Sequence, residues 1–82
     1  MQVLPNPVRD QFQLLITSNE STLAEMYLID GNGKILQTHK EPVQSGSNTF
    51  SYDWTKGLPS GLYYLRVNFG ATRLKRKIYV LK

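Results

Sequence analysis

Apolar and polar residues alternate along most of the chain, and this two-residue period is typical of strands that bury one face. The alternation predicts strands at residues 12–17, 24–29, 34–39, 48–53 and 62–69, with a last strand over 72–82. Their inward positions supply the predicted core: Phe12, Leu14, Ile16, Met26, Leu28, Leu36, Phe50, Tyr52, Tyr63, Leu65, Val67, Ile78 and Val80. No segment shows the period of about 3.6 residues that marks an amphipathic helix.

Glycine, proline and asparagine mark the breaks between these strands. Pro5 and Pro7 favour extended backbone at the residues before them, so the chain is expected to begin as a stiff extended segment. Asp30-Gly31-Asn32-Gly33 predicts a tight hairpin, because glycine and asparagine accept positive φ. Leu58-Pro59-Ser60-Gly61 and Gly70-Ala71 predict two later turns. Six or seven short strands, each with one apolar face, predict an all-β fold, a small antiparallel β-sandwich.

Length and composition favour one globular domain spanning residues 1–82, with 40% hydrophobic and 20% charged residues. There is no cysteine, so disulfides and thiolate metal sites are excluded. No apolar run approaches the ~18 residues that a membrane span needs, and the first residues do not resemble a secretion signal. Any export signal is therefore expected on a longer parent chain. We interpret Met1 and its neighbours as a linker remnant or an addition for expression.

Positive charge is concentrated in the second half of the chain. The net charge is +4, and no acidic residue follows Asp53. Seven cationic residues do follow it: Lys56, Arg66, Arg73, Lys75, Arg76, Lys77 and Lys82. Such asymmetry fits either an anionic partner or a strand edge protected by charge, and we favour the protected edge. Nucleic-acid binding is not expected, because alternation sends Lys75 and Lys77 to one face and Arg76 to the other.

The residues that carry catalytic or metal chemistry are sparse. His39 is the only histidine, and no serine lies in a nucleophile-elbow motif. The spacing of an EF-hand calcium loop would place Asp30, Asn32 and Glu41 at its positions 1, 3 and 12. However, Lys34 then stands where the loop needs an oxygen ligand, and Ile35 stands where it needs a glycine. We therefore expect no enzyme activity, no metal and no cofactor.

Five segments follow one another in an order that resembles a known family. They are Pro5-Asn6-Pro7, Asp30-Gly31-Asn32-Gly33-Lys34, Gly46-Ser47-Asn48, the segment 58–67 (LPSGLYYLRV) and the last seven residues 76–82 (RKIYVLK). Together they resemble the type IX secretion C-terminal sorting domain of the Bacteroidetes over nearly the whole chain. Two details depart from the family's pattern: Leu4 stands where an aromatic residue often precedes Pro-Asn-Pro, and Gly31 adds a second glycine to the hairpin.

The resemblance implies an immunoglobulin-like sandwich of about seven strands at the C-terminus of a secreted cargo protein. It implies that the cargo domain precedes this chain and crosses the periplasm. The domain would then direct the cargo through the outer-membrane translocon with its shuttle components. A sortase-like surface peptidase would often cut upstream of Pro5 and attach the cargo to the cell surface.

By position in the family's motifs, the residues of the sorting signal would be Gly61 and Tyr63 in the penultimate strand, with Lys77, Val80 and Lys82 in the last. Gly61 and Tyr63 also have structural explanations, as a turn residue and a core aromatic. Lys77 and Lys82 are expected to be exposed.

The alternative function is an accessory carbohydrate-binding or adhesion sandwich of a larger secreted enzyme. Modules of that class display clustered exposed aromatic residues, which Tyr27, Trp54, Tyr64 and Tyr79 could supply here.

Overall fold

The computed structural model describes all 82 residues as two antiparallel β-sheets with no helix, and so with none that could span a membrane. The strands are β1 Gln2–Leu4, β2 Phe12–Ser18, β3 Thr22–Ile29, β4 Ile35–Val43, β5 Gly46–Tyr52, β6 Gly61–Phe69 and β7 Thr72–Val80. One sheet has the order β1-β2-β5, and the other has the order β4-β3-β6-β7. The predicted all-β sandwich of about seven strands is confirmed.

The core lies between the sheets and follows the predicted alternation. It comprises Val8, Phe12, Leu14, Ile16, Ala24, Met26, Leu28, Val43, Tyr63, Leu65, Val67, Phe69, Ile78 and Val80. Ten of the thirteen residues predicted from the sequence are in this set. Phe50 and Tyr52 are only partly buried, but they pack against it as expected for inward positions of β5.

Leu36 was predicted in the core and is 37% exposed, so that prediction is wrong. The cause is a β-bulge: Leu28 pairs with Gln37 while Ile29 pairs with Ile35, which leaves Leu36 without a partner in β3. The residues of β4 that share the inward face of Ala24, Met26 and Leu28 are instead the polar Glu41, His39 and Gln37. Since β4 is an edge strand, these polar side chains can reach solvent at the rim of the core.

The β3–β4 hairpin has the predicted tight turn, at residues 30–33. Asp30 Oδ1 accepts hydrogen bonds from the backbone N–H groups of Asn32 and Lys34, both at 2.9 Å. Gly33 has a φ of 86°, which glycine adopts without steric cost. Asp30 thus stabilises the turn, whereas Glu41, which the calcium-loop spacing grouped with it, lies far along β4.

Tyr52 and Glu41 join the two sheets along the flank where β4 meets β5. The Tyr52 hydroxyl donates to Glu41 Oε1 at 2.7 Å, and His39 Nε2 lies 3.0 Å from the same oxygen. The hydrogen bond from Tyr52 lowers the pKa of Glu41, and His39 lowers it further. Burial and the contact with Glu41 raise the pKa of Tyr52. Trp54 stacks on Tyr52 with ring centroids 4.1 Å apart. This cluster closes one flank of the sandwich.

The segment between β1 and β2 crosses from the first sheet to the opposite flank of the second. Val8 forms a parallel bridge with Val80, although neither the bridge nor its burial was predicted. Val8 N–H donates to the Tyr79 carbonyl at 2.8 Å, and Leu81 N–H donates to the Val8 carbonyl at 2.9 Å. The crossing segment therefore covers the outer side of β7 at its C-terminal end.

Candidate recognition surface

The last two strands form the antiparallel pair that the sequence predicted, and this pair contains four of the five candidate recognition residues. Gly61 pairs with Val80, and Tyr63 pairs with Ile78. Tyr63 and Val80 face inward and are only 6% and 3% exposed. The Tyr63 hydroxyl donates to the Pro59 carbonyl at 2.8 Å, which satisfies it at the edge of the core. Both residues therefore have clear structural roles, and neither presents a side chain that a partner could contact directly.

Gly61 is exposed at the start of β6. Its φ of 159° is close to fully extended. A Cβ atom at this position would lie 3.8 Å from Tyr63 Cε2, an ordinary van der Waals distance. Lack of space therefore does not explain the glycine, which is exposed where β6 begins opposite Val80.

Lys77 is exposed on the outer face of the four-stranded sheet, where it pairs with Tyr64. The register places five cationic side chains on this face, which we call the basic face: Lys40, Arg66, Arg73, Lys75 and Lys77. Glu25 is the only acidic residue among the outward positions of these strands, and it accepts a hydrogen bond from Tyr27. The basic face has its greatest density of charge along β7.

Two aromatic rings on the basic face are covered by cations. The Arg66 guanidinium lies 4.8 Å from the centroid of the Tyr27 ring, and Lys75 Nζ lies 4.6 Å from that of Tyr64. Such cation–π contacts are worth about 0.5–1 kcal/mol at exposed sites. Lys77 makes no contact of this kind, so its ammonium group is available to a partner.

Lys82 makes a set of contacts that we call the C-terminal latch. Its ammonium group donates to the carbonyl oxygens of Arg9 at 3.1 Å and Thr55 at 2.9 Å, and it forms an ion pair with Asp10. Its backbone N–H donates to Ser60 Oγ at 2.9 Å. Lys82 is exposed, as expected from the sequence, but its ammonium group is engaged within the domain, which the sequence did not predict.

Asp10 and Thr55 complete the latch, and neither was selected from the sequence. Thr55 is fully buried, and its hydroxyl donates to the Arg9 carbonyl at 2.8 Å. The hydrogen bond from Lys82, reinforced by its charge, lowers the pKa of Asp10. Because Asp10 and Lys82 are separated by 72 residues, no local pattern could have paired them.

Exposed apolar side chains flank the end of β7. Tyr79 is 50% exposed and Leu81 is 51% exposed. Alternation already placed Tyr79 outward, opposite Leu62, so the sequence contained the signal for this residue. We call Gly61, Lys77, Tyr79 and Leu81 the terminal surface, because all four are exposed and are held by the paired ends of β6 and β7 and by the latch.

The aromatic residues of the adhesion alternative do not form one cluster. Trp54 belongs to the flank cluster with Tyr52, and Tyr27 and Tyr64 are paired with cations on the basic face. Tyr79 alone is half exposed. This arrangement gives the adhesion alternative no support.

Comparison with known proteins identifies one family. The model of the secretion system C-terminal sorting domain matches residues 2–81. Comparisons with curated proteins and with solved structures found no match. The matched range contains all seven strands and four of the five candidate recognition residues, since it ends one residue before Lys82.

Proposed function

Because the chain belongs to the family of secretion system C-terminal sorting domains, we propose that its terminal surface is the part that the type IX secretion machinery recognises. A domain of this family directs the protein that carries it into type IX secretion. The parent protein is accordingly secreted or displayed on the cell surface. The family match over residues 2–81 is the observation that carries this function.

The geometry of β6 and β7 supports recognition at the terminal surface. Lys77, Tyr79 and Leu81 lie close together in sequence and are exposed, and the latch fixes the residue that follows them. A partner therefore meets an ordered surface and loses little conformational entropy in binding it. Because the latch is built from this domain alone, the surface does not depend on the cargo.

Tyr63 and Val80 contribute to sorting by holding this surface in place. Val80 pairs with Gly61 and bridges to Val8, and Tyr63 anchors the turn at Pro59. Their replacement would change the position of the terminal surface without removing a contact to the partner.

The export route of the cargo and the proteins that bind this domain are inferred from the same sorting role. The cargo would cross the periplasm before the outer-membrane translocon and its shuttle components bind the domain. A sortase-like surface peptidase would then separate the domain from the cargo. Since Gln2–Leu4 pair with β2, we place that cleavage upstream of Gln2, so that it does not fall within a paired strand.

The domain acts in this proposal by binding, with no catalytic chemistry of its own. His39 and Glu41 are the nearest approach to an acid–base pair, and both contact Tyr52 at the flank of the sandwich. Their interactions join the two sheets, which is a structural role.

A secretion assay tests the proposed function. A fluorescent reporter with an N-terminal signal peptide is fused to this domain and expressed in a bacterium with a type IX system, and the periplasmic and surface fractions are compared. We expect the fusion to reach the surface or the medium and the same reporter without the domain to stay in the periplasm. Retention of the complete fusion in the periplasm would show that the domain does not sort.

A further inference from the structure

β7 is the last strand of its sheet, so half of its backbone groups face away from β6. The bonds with Val8 show which half, since they use the Tyr79 carbonyl and the Leu81 N–H. Backbone direction alternates along a strand, so the N–H and C=O groups of Arg73, Lys75 and Lys77 face the same free side. Val8 occupies the edge from residue 79 onward, which leaves a free stretch of backbone at residues 73–77. We call this stretch the β7 edge.

The end of β7 next to this stretch already pairs with another segment. Val8 forms hydrogen bonds of 2.8 and 2.9 Å with Tyr79 and Leu81, and the β7 edge continues from there towards Arg73 with no backbone partner. One group on it has a weak partner: the Arg76 guanidinium donates to the Lys75 carbonyl at 3.0 Å on the exposed surface. An incoming N–H could displace this contact between neighbouring residues at small cost.

The residues with free backbone groups are the ones that carry the charge. Arg73, Lys75 and Lys77 project their side chains onto the basic face, next to the side chains that an added strand would place there. Cross-strand pairs of opposite charge are favourable, and like charges directly opposite are destabilising. The edge therefore selects acidic residues at alternate positions of its partner and discriminates against basic ones.

The other face of an added strand would meet a groove with a mixed lining. This groove has a volume of about 220 Å³ and runs between β1 and β7; Val3, Val8 and Ile78 give it an apolar side, and Asn6 and Arg76 are among its polar lining. Alternate side chains of a strand point to opposite faces, so the partner's remaining positions would enter this groove. A matching segment alternates acidic and apolar residues.

We propose that the β7 edge binds an extended acidic segment of another protein by adding it to the four-stranded sheet as a fifth strand. In this mode, backbone hydrogen bonds provide affinity and the alternate side chains provide specificity. The assignment of that segment to the secretion machinery rests on the proposed function, whereas the binding mode rests on the edge, its charge and the groove.

The test uses a capped seven-residue peptide in which glutamate alternates with valine, titrated into the ¹⁵N-labelled domain. We expect saturable amide shifts at Arg73, Lys75 and Lys77, together with slowed hydrogen exchange of these three amides. A matched peptide with lysine in place of glutamate should not bind. Because no secretion is involved, failure here would leave the proposed sorting function standing, and failure of sorting would leave this result standing.

Two variants separate backbone pairing from charge. Lys75→Pro removes one free N–H, which an edge strand tolerates, and Lys75→Thr removes the same charge but keeps the N–H. We expect the proline variant to bind the glutamate peptide about three- to tenfold more weakly than the threonine variant, as for one hydrogen bond. A Lys75→Glu/Lys77→Glu variant should prefer the lysine peptide, and this exchange keeps the test valid if the proline variant does not fold.

Two outcomes would overturn the proposal. In one, the glutamate peptide causes no saturable shift at the β7 edge. In the other, unstructured polyglutamate binds as tightly as the alternating peptide and shifts the amide signals of Lys40 and Arg66 as much as that of Arg73. This result would show that the basic face attracts anions without adding a strand. In that second case the proline and threonine variants would also bind the glutamate peptide equally.

Discussion

At the scale of single residues, the chemistry of Lys82 depends on groups that are distant in sequence. Its ammonium group bonds to two backbone carbonyls, one of which belongs to the fully buried Thr55. Removing a charged donor from such acceptors lowers the free energy of unfolding more than removing an exposed charge does. Lys77, only five positions earlier, has no comparable partner. The two lysines that the family resemblance treats alike therefore differ in physical role.

Single alanine variants measure this difference. Lys82→Ala should lower the free energy of unfolding by about 1–2 kcal/mol, because the Arg9 and Thr55 carbonyls lose a charged donor. Lys77→Ala should change it by less than about 0.5 kcal/mol, as exposed substitutions usually do. Urea denaturation followed by Trp54 fluorescence provides both values. Equal effects of the two variants would contradict the latch.

Leu65 and Leu36 form a matched pair for the core, since the alternation predicted both as inward. Leu65 is completely buried and Leu36 is 37% exposed at the bulge. Leu65→Ala should cost about 2–5 kcal/mol of stability, and Leu36→Ala less than about 1 kcal/mol. Thermal unfolding at one pH compares the two. A large cost at Leu36 would place it in the core after all.

Glu41 predicts a loss of stability in acid. Its pKa is lowered in the folded domain from an ordinary value of 4.5, chiefly by the Tyr52 hydroxyl. A depressed carboxyl pKa stabilises the fold at pH values above the unfolded pKa, and the contribution disappears as the pH falls through the folded pKa. Unfolding measured between pH 6 and about pH 2 should therefore show a shallower loss for Glu41→Gln than for wild type.

Tyr52→Phe is the companion variant, because it removes the hydroxyl that lowers the pKa of Glu41. It should flatten the acid limb in the same way while keeping the aromatic ring. If both variants lose stability as steeply as wild type, the acid sensitivity arises elsewhere, for example at Asp10.

At the scale of elements, the sequence predicted the strands with a regular apolar face, but it did not predict the full length of β4 or the bulge within it. The alternation located β2, β3, β5, β6 and β7 within a few residues, because each has apolar side chains at every second position. β4 was predicted to end at His39 but continues to Val43, since the polar inward residues Gln37, His39 and Glu41 hide the period before Val43. The bulge at Leu36 left no mark in the sequence.

Elements defined by their partners were also missed. β1 has three residues, too few to show a period, and it exists because β2 is available to pair with it. Val8 looks like an isolated apolar residue between a proline and a charged pair, yet it is buried against the end of β7. The same limit applies to the terminal surface: the sequence predicted the strands β6 and β7, whereas the latch and the β7 edge depend on which segments meet in space.

At the scale of the whole molecule, the sandwich gives different tasks to its surfaces. One flank is closed by Tyr52 and Glu41, and the other has the free edge of β7 next to a groove. The four-stranded sheet carries the basic face, and the terminal surface lies at the end of its last two strands. A partner can therefore bind the β7 side without disturbing the core.

If the terminal surface directs sorting, export of a fused reporter depends on the exposed side chains of that surface, and two matched surface variants measure this dependence. The test variant Lys77→Ala/Tyr79→Ser/Leu81→Ser removes one exposed cation and two exposed hydrophobic side chains. Its control, Leu23→Ser/Ile35→Ser/Lys40→Ala, removes the same number of exposed groups from the β3–β4 side.

Both purified variants must first unfold at the denaturant concentration of wild type, so that a folding defect is not read as a sorting defect. We predict that wild type and the control reach the cell surface while the test variant accumulates in the periplasm. Export of the test variant at the wild-type level, or equal retention of both variants, would show that sorting does not depend on the terminal surface.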